Sequence, residues 1–230
     1  MVSKKFIETE DGTIIYYEVS GTGDPLILLH GNGQSGRVFD PQVKEFKKYY
    51  TCIVIDSRAH GRSGNKKNEL AFPQMARDVI EVMNKEKIYS ANVLGFSDGA
   101  NVAMFLATRY PKRVKKLILN AGNLTVNGLS FVARIASYFD FCLAKFFKKN
   151  THIKNLLVRD IGLAKEDLRK ITSPTLVLVG QFDVIKRSHS LTIAELIPKA
   201  EFKEVAWVGH LFLRVRPKQY NAIVLEFLRR

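Results

Sequence analysis

Cysteine is scarce in this chain. The two thiols among 230 residues, Cys52 and Cys142, form neither a C-x-x-C pair nor a Cys/His cluster with metal spacing. That excludes a disulfide scaffold and a thiolate-held metal. Cys52 lies inside an apolar run and reads as a small buried side chain. Long hydrophobic runs are also missing: none approaches the roughly 20 apolar residues that a membrane-spanning helix needs. The start, Ser3-Lys4-Lys5 followed by Phe6-Ile7-Glu8-Thr9-Glu10, lacks the apolar core and cleavage site of a secretory leader. A cytoplasmic location is therefore expected. Acidic residues are in the minority, 22 against 36 basic ones, for a formal net charge of +14. The basic residues are scattered as short pairs, such as Lys47-Lys48, Lys115-Lys116 and Lys148-Lys149, with no nucleic-acid-binding motif around them. They read as solvated helix faces, and neither a nucleic-acid partner nor stable membrane insertion is expected. Nothing is repetitive, fibrous or disordered in composition. One domain with a small inserted piece suits the length.

What is present is an alternation of strands and helices. Residues 5–9 and 13–19 are β-rich and flank Asp11-Gly12, a hairpin signal. Continuous apolar runs at 26–30, 51–56, 91–97, 114–120, 175–180 and 201–207 read as strands, the first of them buried on both faces. Helical patterns lie at 38–49, 70–84, 98–110, 188–196 and 217–228; in the second, Met75, Val79, Val82 and Met83 recur at helical spacing. This is an α/β chain with a mostly parallel sheet flanked by helices. Residues 123–171 break the alternation with a long aromatic, basic helical stretch that includes Phe131, Tyr138 and Phe146. The division is thus a core of 1–122 and 172–230 with a helical insertion at 123–171. That insertion is either a lid over an active site or an amphipathic helix for a membrane or partner.

The chemistry centres on Gly95-Phe96-Ser97-Asp98-Gly99, a G-x-S-x-G pentapeptide. A chain this long carries such a match by chance roughly one time in ten, so its setting decides. Ser97 ends an apolar strand and a helix begins at once, the strand-turn-helix of a nucleophile elbow. Bulky side chains two positions before or after the serine would clash with the adjoining strand and helix, and Gly95 and Gly99 avoid this. His30-Gly31-Asn32-Gly33 follows the strand at 26–29 and suits an oxyanion loop. Its expected backbone donors are the N–H groups of Asn32, or alternatively Gly33, and of Asp98. A serine needs a base. Of five histidines, His210 follows the last predicted strand, where it can swing over the carboxyl end of the sheet. His60 is expected to hold its own loop. Asp183, just past the strand at 175–180, is the expected acid, with Glu201 and Glu204 as weaker alternatives inside a strand. Phe96, Phe131 and Tyr138 suggest an apolar pocket for the acyl or alcohol part of a substrate.

With these motifs, His30 to Gly33, Asp56-Ser57-Arg58-Ala59-His60-Gly61-Arg62-Ser63, Gly95 to Gly99, Asp183 and Gly209-His210, the chain resembles the α/β-hydrolase superfamily along nearly its whole length. The resemblance implies an eight-stranded, mostly parallel sheet with a cap after the sixth strand, here a short one. It also implies the chain order Ser97, Asp183, His210. Ser97-Asp98-Gly99 and the residues around His210 are similar to the valacyclovir-hydrolase (biphenyl-hydrolase-like) group, which implies that Asp98 pairs with a substrate ammonium. The alternative is that Asp98 serves its own helix N-terminus. The expected activity is hydrolysis of small-molecule carboxylic esters, with no cofactor and no metal. Cleavage of C–C or amide bonds, and a non-catalytic binding protein on the same fold, remain alternatives.

Overall fold

In the computed structural model, which describes residues 2–67 and 69–230, the chain opens with the expected hairpin. Strands β1 (Val2–Glu8) and β2 (Ile14–Ser20) pair antiparallel across a turn in which Gly12 takes φ +74°. Six strands follow: β3 (Asp24–Leu29), β4 (Tyr50–Ile55), β5 (Ala91–Phe96), β6 (Val114–Asn120), β7 (Thr175–Phe182) and β8 (Ala200–Gly209). They form one sheet in the order β1-β2-β4-β3-β5-β6-β7-β8. β2 is antiparallel to its neighbours, and every pair from β4 to β8 is parallel. The helices are α1 (Asp40–Phe46), α2 (Phe72–Lys85), α3 (Asp98–Arg109), α4 (Phe131–Phe146), α5 (Thr151–Asn155), α6 (Lys165–Leu168), α7 (Arg187–Leu196), α8 (Phe212–Val215) and α9 (Pro217–Arg229). The helix expected from residue 38 begins as an α-helix only at Asp40, after a 3-10 turn, with Pro41 in its first turn. Met1 lies outside the described residues.

The apolar strands are apolar on both sides because both faces of the sheet are covered. Successive residues point to opposite faces. Leu26, Leu28, Leu94 and Ile118 join one core with Phe46 of α1 and Tyr220 and Val224 of α9. Ile27, Leu29, Val93 and Leu117 join the other with α2, α3 and Ile193 of α7. α1, which leaves β3, therefore packs on one face, while α3, which leaves β5, packs on the other. β3 and β5 are hydrogen-bonded neighbours. Their outgoing turns diverge, opening a crevice at the carboxyl end of the sheet, the place where open α/β sheets bind ligands.

Residues 123–171, between β6 and β7, are not one long helix. Lys148 and Asn150 have positive φ, 51° and 54°, and break the helical path after α4. α5 and the 3-10 turn after it are anchored by the buried Ile153 and Leu156. α4 is tied to them by the Lys154–Asp140 pair at 2.6 Å and by Thr151 Oγ1 donating to Ala144 O at 3.1 Å. Its other end is held by Ser130, whose hydroxyl caps the Ala133 N–H and whose own N–H donates to Val184 O at 2.8 Å.

Candidate active site

The turn after β5 sets the geometry. Ser97 has φ 55° and ψ −121°, a strained conformation for a residue with a Cβ. The strain persists because its surroundings leave no room to relax. A Cβ on Gly95 would lie 2.2 Å from Gly99 O, and one on Gly99 would lie 2.0 Å from Leu29 O. The Ser97 N–H donates to Asn120 O at 2.8 Å, tying the turn to β6. The hydroxyl is thus held at the tip, between strand and helix.

Ser97, His210 and Asp183 come together although they are far apart in the chain. Ser97 Oγ is 3.1 Å from His210 Nε2, and His210 Nδ1 is 2.8 Å from Asp183 Oδ1. β7 and β8 bring the acid and the histidine to neighbouring strand ends, with Phe182 paired to Gly209. The Asp183 side chain is 1% exposed, and its Oδ1 also accepts the Ile185 N–H at 3.0 Å. An imidazole held on one side by a carboxylate donates from Nδ1 and presents Nε2 as an acceptor toward the serine. Phe96 is buried beneath the His210 ring, with centroids 4.9 Å apart, so it supports the histidine and does not line an open pocket. Glu201 and Glu204 are paired elsewhere, with Arg230 and Arg187.

The loop after β3 passes over Ser97. A Cβ on Gly31 would lie 3.0 Å from Ser97 Cβ. The backbone N–H groups of Asn32 and Asp98 make no backbone hydrogen bond among the described residues, and Asp98 opens α3, where N–H groups lack intrahelical acceptors. Two buried histidines brace the loops. His30 Nε2 accepts the Ser57 N–H at 3.0 Å, so its proton is on Nδ1 and donates to Gly31 O at 2.8 Å. Burial lowers its pKa to about 3 and keeps it neutral. His60 bonds Arg58 O at 2.9 Å and holds its own loop.

Asp98 is in a different position from a free recognition carboxylate. Its Oδ2 accepts from Asn32 Nδ2 at 2.9 Å and its Oδ1 from Asn101 Nδ2 at 3.3 Å. Burial pushes its pKa up to about 6 against the lowering effects of the Asn32 bond and the nearby His210. Asn32 Nδ2 also donates to Ile153 O at 2.8 Å, joining the loop after β3 to the insertion. Asn101 in turn bonds Asn123 through both ends of its amide. Sequence reasoning missed Asn101 and Asn123. Asn101 carried a usable signal, three residues past Asp98 on the same helix face; Asn123 carried none.

Phe131 and Tyr138 are exposed on α4. Tyr138 lines an apolar groove of about 540 Å³ that none of Ser97, Asp183 and His210 lines. A second cavity, about 640 Å³ between β1, β2 and α1, is likewise lined by none of the three. Among the described residues no cluster of His, Cys, Asp or Glu has the geometry to hold a metal ion, and no helix is long and apolar enough to cross a membrane.

The fold agrees with known proteins. A family model described as alpha/beta hydrolase fold matches residues 24–152. The chain is 27% identical over 249 residues to "Putative carbamate hydrolase RutD" of Azorhizobium caulinodans, covering 93% of this chain and 94% of the relative. It is 30% identical over 124 residues to serine hydrolase BPHL of Homo sapiens, covering 50% of this chain and 42% of that protein. Among solved structures, Est816, described as an N-acyl homoserine lactone degrading enzyme, superposes with a TM-score of 0.85 at 26% identity, over 97% of this chain and all (100%) of that one. A hydrolase from Pseudomonas aeruginosa PA01 superposes with a TM-score of 0.84 at 22% identity, over 98% of each chain. By this match and by its sheet order, the chain belongs to the alpha/beta hydrolase fold family.

Proposed function

We propose that this hydrolase cleaves small-molecule carboxylic esters through an acyl-enzyme on Ser97. The observation that carries the reading is the unbroken chain of contacts Asp183–His210–Ser97, 2.8 and 3.1 Å, ending on a serine at a strained elbow. Ser97 Oγ attacks the carbonyl carbon while His210 Nε2 takes its proton. The negative oxygen is held by the N–H groups of Asn32 and Asp98, which have no backbone acceptor of their own among the described residues. His210 returns the proton to the leaving alcohol. A water then gives its proton to His210 and attacks the acyl carbon, releasing the acid and restoring Ser97. Asp183 orients the imidazole and stabilises its protonated form throughout.

A second reading is supported by the relative that matches most of the chain, whose name specifies a carbamate. The same groups serve it: a carbamate presents a carbonyl to Ser97 and an amine or alcohol as leaving group. Asp98, 5% exposed, does not present a free carboxylate to a substrate ammonium. Both carboxylate oxygens are already taken by amides, so Asp98 reads as the brace that holds Asn32 over Ser97.

The test is intact-mass analysis after a fluorophosphonate probe, followed by a panel of aryl esters, lactones and carbamates. One adduct on the native chain and none on Ser97→Ala is expected, with turnover lowered at least about 10³-fold in the variant. The absence of an adduct on the folded native chain would overturn the reading. Within the panel, faster turnover of carbamates than of matched esters would replace the ester by the carbamate.

A further inference from the structure

Helix α4 is built inside out. On the side it turns toward the protein, Ala133, Arg134, Ser137, Asp140 and Ala144 are small or polar and half-buried and Phe141 is the one half-buried aromatic, whereas Phe131, Ile135, Tyr138, Phe139 and Phe146 stand in solvent. A surface helix of a globular protein normally does the reverse. No residue of α4 is buried, and Phe146 is 79% exposed. The apolar surface does not stop at the helix. The Leu129–Ile185 bridge and the Ser130-to-Val184 hydrogen bond join its start to the end of β7 and the loop after it, where Phe182 and Val184 are exposed. Phe182 in turn lies against Trp207, with centroids 6.0 Å apart. Trp207, 72% exposed, sits at φ 59° with its N–H held by Gln181 Oε1 at 3.0 Å, so the backbone is constrained where the ring turns outward. An exposed apolar patch of this kind marks a contact surface.

The charges around it say what contacts it. Between residues 123 and 160 there are two carboxylates against six Lys and Arg: Asp140, which pairs with Lys154 at 2.6 Å, and Asp160, which accepts the Val126 N–H at 2.8 Å. Lys145, Lys148 and Lys149 close the end of the helix with no ion pair among the described residues, and Arg134 adds a further cation. A second copy of this chain would bring one basic rim against another, on molecules that each carry a formal charge of +14. An anionic lipid surface meets both demands. Aromatic side chains enter the boundary between headgroups and acyl chains, and lysine stems run back to the phosphates. The apolar groove of about 540 Å³ beside Ile135, Tyr138 and Phe139 lies along the same helix.

We propose that the outward face of α4, with Phe182 and Trp207, docks reversibly on anionic lipid surfaces. α4 lies in the interface, about 24 Å long for its 16 residues, and does not span the membrane. Because Asp183 and His210 sit beside Phe182 and Trp207 at the ends of β7 and β8, docking turns the catalytic end of the sheet toward the lipid. The inference rests on the surface and not on which ester or carbamate is cleaved.

Trp207 is the single tryptophan, so its fluorescence reports on the patch directly. The full chain is titrated with vesicles of phosphatidylcholine and phosphatidylglycerol, and with phosphatidylcholine alone. A blue shift with the anionic vesicles, quenched by brominated acyl chains and weakened by salt, is expected. The double variant Phe139→Ser, Phe146→Ser and the triple variant Lys145→Glu, Lys148→Glu, Lys149→Glu should each lower affinity roughly tenfold or more. A remote control of equal charge change, Lys85→Glu, Lys87→Glu, Lys112→Glu, should change it less than about twofold, being at the opposite end of the sheet. Three results would overturn the proposal: no spectral response to anionic vesicles, equal losses in the near and remote charge variants, or unchanged binding by the phenylalanine variant. So would sedimentation showing a dimer that the phenylalanine variant abolishes, since a second copy would then cover the face.

Discussion

At the scale of single residues, Asp98 is the position where burial and hydrogen bonding oppose each other. Its carboxyl titrates near 3.8 when unfolded and is pushed up to about 6 by burial in the folded chain. Between those values the folded protein binds more protons than the unfolded one, so this group lowers stability as pH rises from about 4 to 6. The penalty is absent below the lower value and complete above the upper one. Asp98→Asn removes the titration while keeping an oxygen for Asn32. The stability of the variant relative to the native chain, from urea midpoints, should therefore increase from pH 4 to pH 7 by on the order of 3 kcal/mol. A difference that is flat across that range would mean that Asp98 is not buried as an anion. The native residue carries this cost at neutral pH, which fits a role in holding Asn32 and the loop above Ser97.

At the scale of elements, the elbow is defined by backbone approach. Gly99 lets the first turn of α3 sit against the end of β3, where an added methyl group would meet backbone oxygens of Leu29 and His30 at 2.0 and 2.8 Å. Neither oxygen is the end of a flexible side chain, so one element must move. Gly99→Ala should displace α3 from the loop after β3, lower turnover at least about 100-fold and cost about 1–3 kcal/mol in stability. Measured turnover within a few-fold of the native chain would show that the two elements are not held in register by this contact. Gly122 raises the same issue from the β6 side, since a Cβ there would lie 2.9 Å from Ala100 Cβ. Small residues at these positions form the seat for the turn at Ser97.

At the scale of the whole molecule, one buried cation joins three separate parts. Arg58 is 1% exposed, bonds both oxygens of Asp78 on α2 at 2.6 and 2.7 Å, and reaches Asp11 in the hairpin turn at 3.0 Å. Burial pushes the Asp78 carboxyl up and the guanidinium only partly offsets this. Removing the cation leaves carboxylates buried with no countercharge. Arg58→Ala should cost about 3–5 kcal/mol, read from urea unfolding at neutral pH. The loss should shrink in mild acid, where Asp78 takes up a proton. A loss below about 1 kcal/mol would show that hairpin and α2 are held by packing alone.

Ser97, Asp183 and His210 could each be named from the chain because each follows a strand and because an elbow requires glycines within two residues of its serine. Those are local constraints, set by sterics over a few residues, and alternating apolar strands and helical periods are local in the same sense. They led to a mostly parallel sheet, to which the family resemblance added eight strands, and the sheet formed has that character. What local pattern could not supply is how side chains converge. The 3.1 Å approach of Ser97 to His210 spans 113 positions. The amide network from Asn32 through Asp98 and Asn101 to Asn123 depends on where three elements cross. The reading of residues 123–171 as one helical stretch missed the break at Lys148 and Asn150. Composition marked residues 123–171 as an aromatic, basic helical stretch, either a lid or an amphipathic helix, but said nothing about which side of α4 faces the protein. The sequence by itself marked the strands and most of the helices, their likeness to a known fold, and Ser97 as the candidate nucleophile. Only the tertiary structure decided that Phe96 lies beneath the histidine, that Asp98 is occupied by amides, and that the aromatic stripe of α4 looks outward. These are questions of what packs against what, and they are settled by contacts between residues that the chain holds far apart.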